Sequence, residues 1–142
     1  MQDILMQQIK DQVSRLGVTE LNTPADVDNL LKGRKGTVLI FVNSVCGCAG
    51  GIARPGLQLA MKHRVLPDMI ATVFASSEIE ATMHARSYFT GMPSSSPSFA
   101  ILRDGRLVHM IHRSDIEIRE PEEVAALLTA SFDVHCLKDT KN

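Results

Sequence analysis

The sequence predicts an α/β domain with a mixed central sheet of four or five strands and helices on both faces. Three observations carry this. Thr37-Val-Leu-Ile-Phe-Val42 is a near-continuous apolar, β-branched run, the mark of a central strand buried on both faces. Strand-like and helix-like segments alternate through the middle of the chain, so crossover connections join the strands. Asp104-Gly105 separates two strand-like runs and signals a hairpin near the end.

The elements follow in order. Leu5, Ile9, Val13 and Leu16 recur at helical spacing, so Gln2 to Leu16 reads as an amphipathic helix ended by Gly17. Thr23 caps a second helix, with Pro24 in the first turn, where no N–H is needed. Val27, Leu30 and Leu31 are its buried face and Gly33 its stop. After the strand at 37–42, Asn43 to Cys48 is a loop. Ala49 to His63 is a helix that Pro55 should kink. Met69 to Phe74 is a second buried strand. Ser77-Glu-Ile-Glu80 has the form of a capping box, with a helix running to about Phe89 and Gly91 after it. Ser98 to Arg103 and Leu107 to His112 are the hairpin strands. Pro121-Glu-Glu opens a last helix with Val124, Leu127 and Leu128 inside. Residues 1–136 read as one domain and 137–142 as a polar C-terminal tail.

Composition excludes several function classes. The chain has 142 residues, 44% hydrophobic and 22% charged, an ordinary globular balance. A net charge of -1 gives no field for nucleic acid or an anionic membrane, and 4% aromatic residues leave few platforms for stacking bases. The N-terminus lacks the basic and apolar regions of a signal peptide, and the apolar run Val38–Val42 is too short to span a bilayer. Three cysteines do not make a secreted disulfide scaffold. Two of them one residue apart suggest redox chemistry in a reducing, cytoplasmic setting, or metal binding.

The chemistry-bearing segment is Cys46-Gly47-Cys48, at the junction of a buried strand and a helix start. Disulfide exchange needs a thiolate, and the unpaired N–H groups of a helix N-terminus stabilise one. Gly47 keeps the turn open, Ala49-Gly50-Gly51 is expected to let the backbone approach the sulfurs, and Arg54 is expected to add positive charge. Cysteines separated by one residue can bridge only through a small ring, which suits transfer of disulfides better than storage. Cys46, first at the strand end, is expected to attack, and Cys48 to resolve. Ser96-Pro97 precedes a strand in a Ser-rich loop, a candidate cis peptide. In a thioredoxin-like sheet this proline lies beside the redox cysteines, shields them from metal and leaves backbone groups for a substrate.

Asn43-Ser-Val-Cys-Gly-Cys-Ala-Gly-Gly-Ile-Ala-Arg-Pro55 resembles the active-site segment of the bacilliredoxin family, thioredoxin-fold proteins. Tyr88-Phe-Thr-Gly-Met-Pro93, Ser95-Ser-Pro-Ser98 and Phe132-Asp-Val-His-Cys136 also match its pattern. The resemblance implies removal of bacillithiol from mixed disulfides on cytosolic proteins. Cys46 would take the bacillithiol group, and Cys48 or a second bacillithiol would discharge it. Gly47, Arg54, Ser96 and Pro97 would line the substrate site. Bacillithiol, or a similar low-molecular-weight thiol, would be a co-substrate; no cofactor is implied, and the partners are bacillithiolated or disulfide-bonded client proteins. Some members have been viewed as disulfide isomerases.

Other readings stand beside this one. Cys46 and Cys48 as inert thiols fit poorly with a Gly-flanked loop. Cys46, Cys48, His135 and Cys136 are ligand types for zinc, and an iron–sulfur cluster shared between chains is a variant of that idea, although Cys-x-Cys is tighter than the common ligand spacing. Cys136, expected in a polar tail, is either incidental, an auxiliary resolving thiol or one half of an intermolecular bridge. Arg54 is either a solvated helix residue or a binder of a carboxylate-bearing thiol. His109 and His112 have opposite parity on their strand and should not converge on one metal. Met61, Met69, Met83, Met92 and Met110 read as core fillers. Glu117 to Glu123 reads as a solvated loop and helix start.

Overall fold

The strand at the centre of the sheet is the one with the apolar run. In the computed structural model, which describes residues 2–136, all seven residues of β2 (Thr37–Asn43) are buried. Its neighbours are β3 (Met69–Phe74), parallel, and β4 (Ser98–Arg103), antiparallel. β5 (Arg106–Ile111) pairs antiparallel with β4, and a two-residue edge strand, β1 (Thr19–Glu20), pairs parallel with β3. The five strands lie in the order β1-β3-β2-β4-β5. The mixed sheet of four or five strands is therefore found, with five.

Alternation along β2 divides the core in two. Leu39 and Phe41 face a cluster with Val13, Leu57, Val124, Leu128 and Phe132, from α1 (Gln2–Ser14), α3 (Arg54–Ala60) and α6 (Pro121–His135). Phe41 stacks on Phe99, its register partner on β4, with ring centroids 4.7 Å apart. Val38, Ile40 and Val42 face Val27, Leu30, Leu31, Ala81 and Ala85, from α2 (Pro24–Leu31) and α4 (Ile79–Arg86). Two buried faces explain why β2 carries no polar alternation. A short helix, α5 (Arg113–Ile116), follows β5 in a region the sequence marks only as charged.

Several local expectations change. The Thr23 cap is made as expected, reciprocally with Asp26. The Ser77–Glu80 box is not: α4 starts at Ile79, the Ser77 hydroxyl bonds the Glu78 carboxylate, and that carboxylate also takes Lys10 at 2.6 Å. α4 ends at Arg86, short of Phe89, and α1 ends at Ser14, short of Leu16. The expected kinked helix over 49–63 is a π-helical turn, Ala49–Ala53, running into α3, which ends at Ala60. The Arg54 N–H reaches the Ala49 carbonyl, one residue further back than an α-helical bond, directly ahead of a proline that has no N–H to give. Among the described residues no helix is long and apolar enough to cross a membrane. The tail expected over 137–142 lies outside the described residues.

Candidate active site

The site is built at the end of the sheet where β2 stops. Val42 is the register partner of Ser98, so the Asn43–Cys48 loop leaves β2 beside the residues that lead into β4. Those residues include the Ser96–Pro97 peptide bond, which is cis, with Pro97 buried and Ser96 half-buried. The Ser95 carbonyl accepts from Ser98 Oγ at 2.9 Å and from Arg86 Nη2 at 3.2 Å, which fixes this wall of the site. Phe99 is the partner of Ile111, so the chain beyond β5 returns to the same end and places Arg113 against the Ser95–Ser96 loop.

Cys46 and Cys48 are both free thiols and both half-buried. The Ser44 hydroxyl donates to Cys46 Sγ at 3.2 Å. Burial of the Cys46 sulfur opposes ionisation. It is outweighed by the Ser44 hydroxyl, the Ala49 N–H, the charge of Arg113 and the Cys48 N–H, which together hold this thiol below the ordinary cysteine range. The surroundings of Cys46 therefore favour its thiolate.

The loop that carries it is pinned from three sides. Asn43 Oδ1 accepts the Ser44 N–H at 2.9 Å. Arg54 Nη1 donates to Asn43 Oδ1 and to the Ser44 carbonyl, both at 2.9 Å. The Val45 N–H donates to Ser76 Oγ at 3.1 Å, beyond the end of β3. Arg54 interacts electrostatically with Cys46, as expected of a nearby positive charge, and it also has a structural part. It is half-buried, and its donors hold the strand end that leads to Cys46. Gly50 serves the same arrangement: a Cβ there would stand 2.7 Å from Arg54 Nη2, so this glycine makes room for the guanidinium rather than for the sulfurs. At Gly47 a Cβ would meet nothing within 4 Å, so that position is open towards solvent, as the sequence suggests.

Cys136 does not join the site. It is 5% exposed, packed in the core cluster at the end of α6, with its thiol bonded to Thr37 at the start of β2. Burial pushes its pKa up. A strand of this length separates its two ends by about 20 Å, and Cys46 lies beyond the far one. The expectation of a polar-tail location and of an auxiliary resolving thiol is corrected accordingly. A four-ligand zinc site from Cys46, Cys48, His135 and Cys136 is not assembled for the same reason. Among the described residues no three His, Cys, Asp or Glu side chains gather as a metal-ligand set. His135 stacks on His109 instead, ring centroids 5.7 Å apart.

Sequence reading missed three contributors, Ser44, Asn43 and Arg113. The first two flank the motif and carry side-chain acceptors or donors suited to a strand-to-helix turn. Nothing local marks Arg113, because the hairpin register alone brings it to the site.

Comparison with known proteins agrees with this geometry. A family model described as disulphide isomerase matches residues 1–136. The chain is 48% identical to a bacilliredoxin of Koribacter versatilis over 94% of its own length and 92% of the relative's. It is 50% identical to a bacilliredoxin of Geobacillus kaustophilus over 93% and 90%. Among solved structures, a thioredoxin of Malassezia sympodialis superposes with a TM-score of 0.59 at 15% identity, covering 84% of this chain and 91% of the other. Fasciola hepatica thioredoxin gives 0.58 at 20% identity over 83% and 99%. The latter two show the fold. With a thioredoxin fold, a paired-cysteine site at the end of its central strand and near-full-length relatives of this identity, the chain belongs to the bacilliredoxin family of thiol–disulfide oxidoreductases.

Proposed function

We propose that the protein removes bacillithiol, or a similar small thiol, from mixed disulfides on cytoplasmic client proteins. The observation that carries the reading is the set of donors gathered on Cys46. Cys46 receives the Ser44 hydroxyl, two backbone N–H groups and the field of Arg113, all favouring its thiolate. The names of the relatives support the choice of small thiol.

The steps balance without a cofactor. The Cys46 thiolate attacks the bacillithiol sulfur of the mixed disulfide, and the client cysteine leaves as a thiolate that takes a proton from water. Bacillithiol is now disulfide-bonded to Cys46. Cys48, deprotonated, attacks the Cys46 sulfur and expels bacillithiol as a thiolate, which leaves a Cys46–Cys48 disulfide. A second bacillithiol attacking the bacillithiol sulfur discharges Cys46 instead, giving bacillithiol disulfide and the reduced enzyme. Gly47 leaves the approach open, and Ser96 and Pro97 form the opposite wall, against which the client lies.

The test is the rate at which a bacillithiolated client is freed. Cys46→Ala should abolish release, and Cys48→Ala should keep the first turnover. Release undiminished in Cys46→Ala contradicts the reading. The description of the matching family model favours a second reading, a general disulfide isomerase. That activity would restore a scrambled disulfide protein without any small thiol on the substrate, and one preparation assayed both ways separates the two.

A further inference from the structure

The mixed disulfide puts the body of the small thiol beside Cys46, and an exposed arginine stands near it against the Ser95–Ser96 loop. Arg113 opens α5 and is exposed. Its backbone N–H reaches Ser95 Oγ at 3.3 Å, its Nη1 lies 3.4 Å from the Ser96 carbonyl, and its Nε pairs with Glu117 at 3.2 Å. These contacts hold the guanidinium against the Ser95–Ser96 loop and leave Nη2 free of any hydrogen bond among the described residues. Arg113 interacts electrostatically with both Cys46 and Cys48. Arg54 also interacts with Cys46, but its Nη1 is occupied by Asn43 and Ser44 behind the loop.

We infer that Arg113 is the recognition residue of the small-thiol site, selecting thiols that carry a carboxylate over neutral or cationic ones. This rests on the function proposed above and reassigns to Arg113 the carboxylate-binding role expected of Arg54. With Nη2 free, the guanidinium can donate a charged hydrogen bond to a carboxylate. Both partners are solvated, so the preference is modest and falls as salt rises.

The test uses one client protein carrying, in turn, a mixed disulfide with glutathione (carboxylate-bearing), 2-mercaptoethanol (neutral) or cysteamine (cationic). Initial rates of release are measured for the full-length protein and for Arg113→Gln, Arg113→Lys and Arg113→Glu. The glutathione-to-cysteamine rate ratio should fall about threefold in Arg113→Gln, the size of one exposed ion pair. It should fall about tenfold in Arg113→Glu and stay near the parent value in Arg113→Lys. Taking a ratio cancels any effect of Arg113 on the reactivity of Cys46 itself, which would scale all three substrates alike. Three rates that drop together, with the ratio unmoved in Arg113→Glu, would overturn the inference while leaving the proposed function standing. A parent protein that releases none of the three but still releases bacillithiol from the same client would overturn the inference and leave the proposed function standing; one that releases none of the four would sink both.

Discussion

Replacing Arg54 by Met tests the claim that this residue is a clamp on the nucleophile's loop. The side chain makes two bonds of 2.9 Å, to Asn43 Oδ1 and to the Ser44 carbonyl. Both acceptors belong to buried residues, Asn43 being 2% exposed and Ser44 6%. Hydrogen bonds from a charged donor contribute roughly 1.5–3 kcal/mol each. Asn43 Oδ1 keeps the Ser44 N–H, so only the Ser44 carbonyl is left without a partner. Relief of the half-buried guanidinium's desolvation offsets part of the loss. The net cost is about 2–3 kcal/mol, which lowers the melting temperature by roughly 6–10 °C for a chain of this length. Thermal melts followed by circular dichroism give the number. Arg54→Lys, with a single ammonium in place of the fork, should fall between Met and the parent. A melting temperature within about 2 °C of the parent for Arg54→Met would refute the clamp and return Arg54 to the solvated helix surface.

Further outcomes follow from the same structure. Ser44→Ala removes the hydroxyl donor from Cys46, so the pH at which alkylation of Cys46 is half-maximal should rise towards that of an ordinary cysteine. In linkage terms, a depressed thiol pKa stabilises the fold above the unfolded value, and the benefit is lost as pH falls through the folded one. The parent should therefore gain stability relative to Cys46→Ser on going from about pH 6 to pH 9, as denaturant melts at the two pH values would show. Gly56→Ala puts a Cβ 2.9 Å from Val124 Cγ1 and 3.2 Å from the Pro121 carbonyl, where α3 crosses α6. It should destabilise by about 1–2 kcal/mol once helix propensity is credited, and by less in a Val124→Ala background. Cys136 should resist alkylation in the folded protein and react at once in denaturant, as peptide mapping would record.

Most of the sheet was legible because burial on two faces leaves an unmistakable run, as at Thr37–Val42. The edge strand Thr19–Glu20 was not, since two residues paired through the backbone carry no side-chain period. The capping box at Ser77 is not formed because α4 starts two residues later, at Ile79, and the Ser77 hydroxyl is taken by the neighbouring Glu78 carboxylate, which Lys10 holds from α1. Cys136 was misplaced although the sequence held the signal: Val124, Leu128, Phe132 and Cys136 recur every four residues, one continuous buried ridge on α6. Of the site, the cysteines, Gly47, Ser96 and Pro97 come to one end of the sheet as their positions along the chain suggested. Arg54 brings its charge near Cys46 as expected, while its bonds to Asn43 and to the Ser44 carbonyl, made across the π-helical turn, carry no signal in the sequence. Arg113 enters only through pairing between β4 and β5, which single-sequence patterns do not specify.

The central claim is that Cys46 is the attacking sulfur. Incubating Cys48→Ala with a bacillithiolated client and mapping the product by mass spectrometry tests it most directly. A bacillithiol adduct on the peptide bearing Cys46, formed as the client is freed, is the expected result. Release of the client with the adduct on Cys136, or with no adduct on Cys46 at any time, would contradict it.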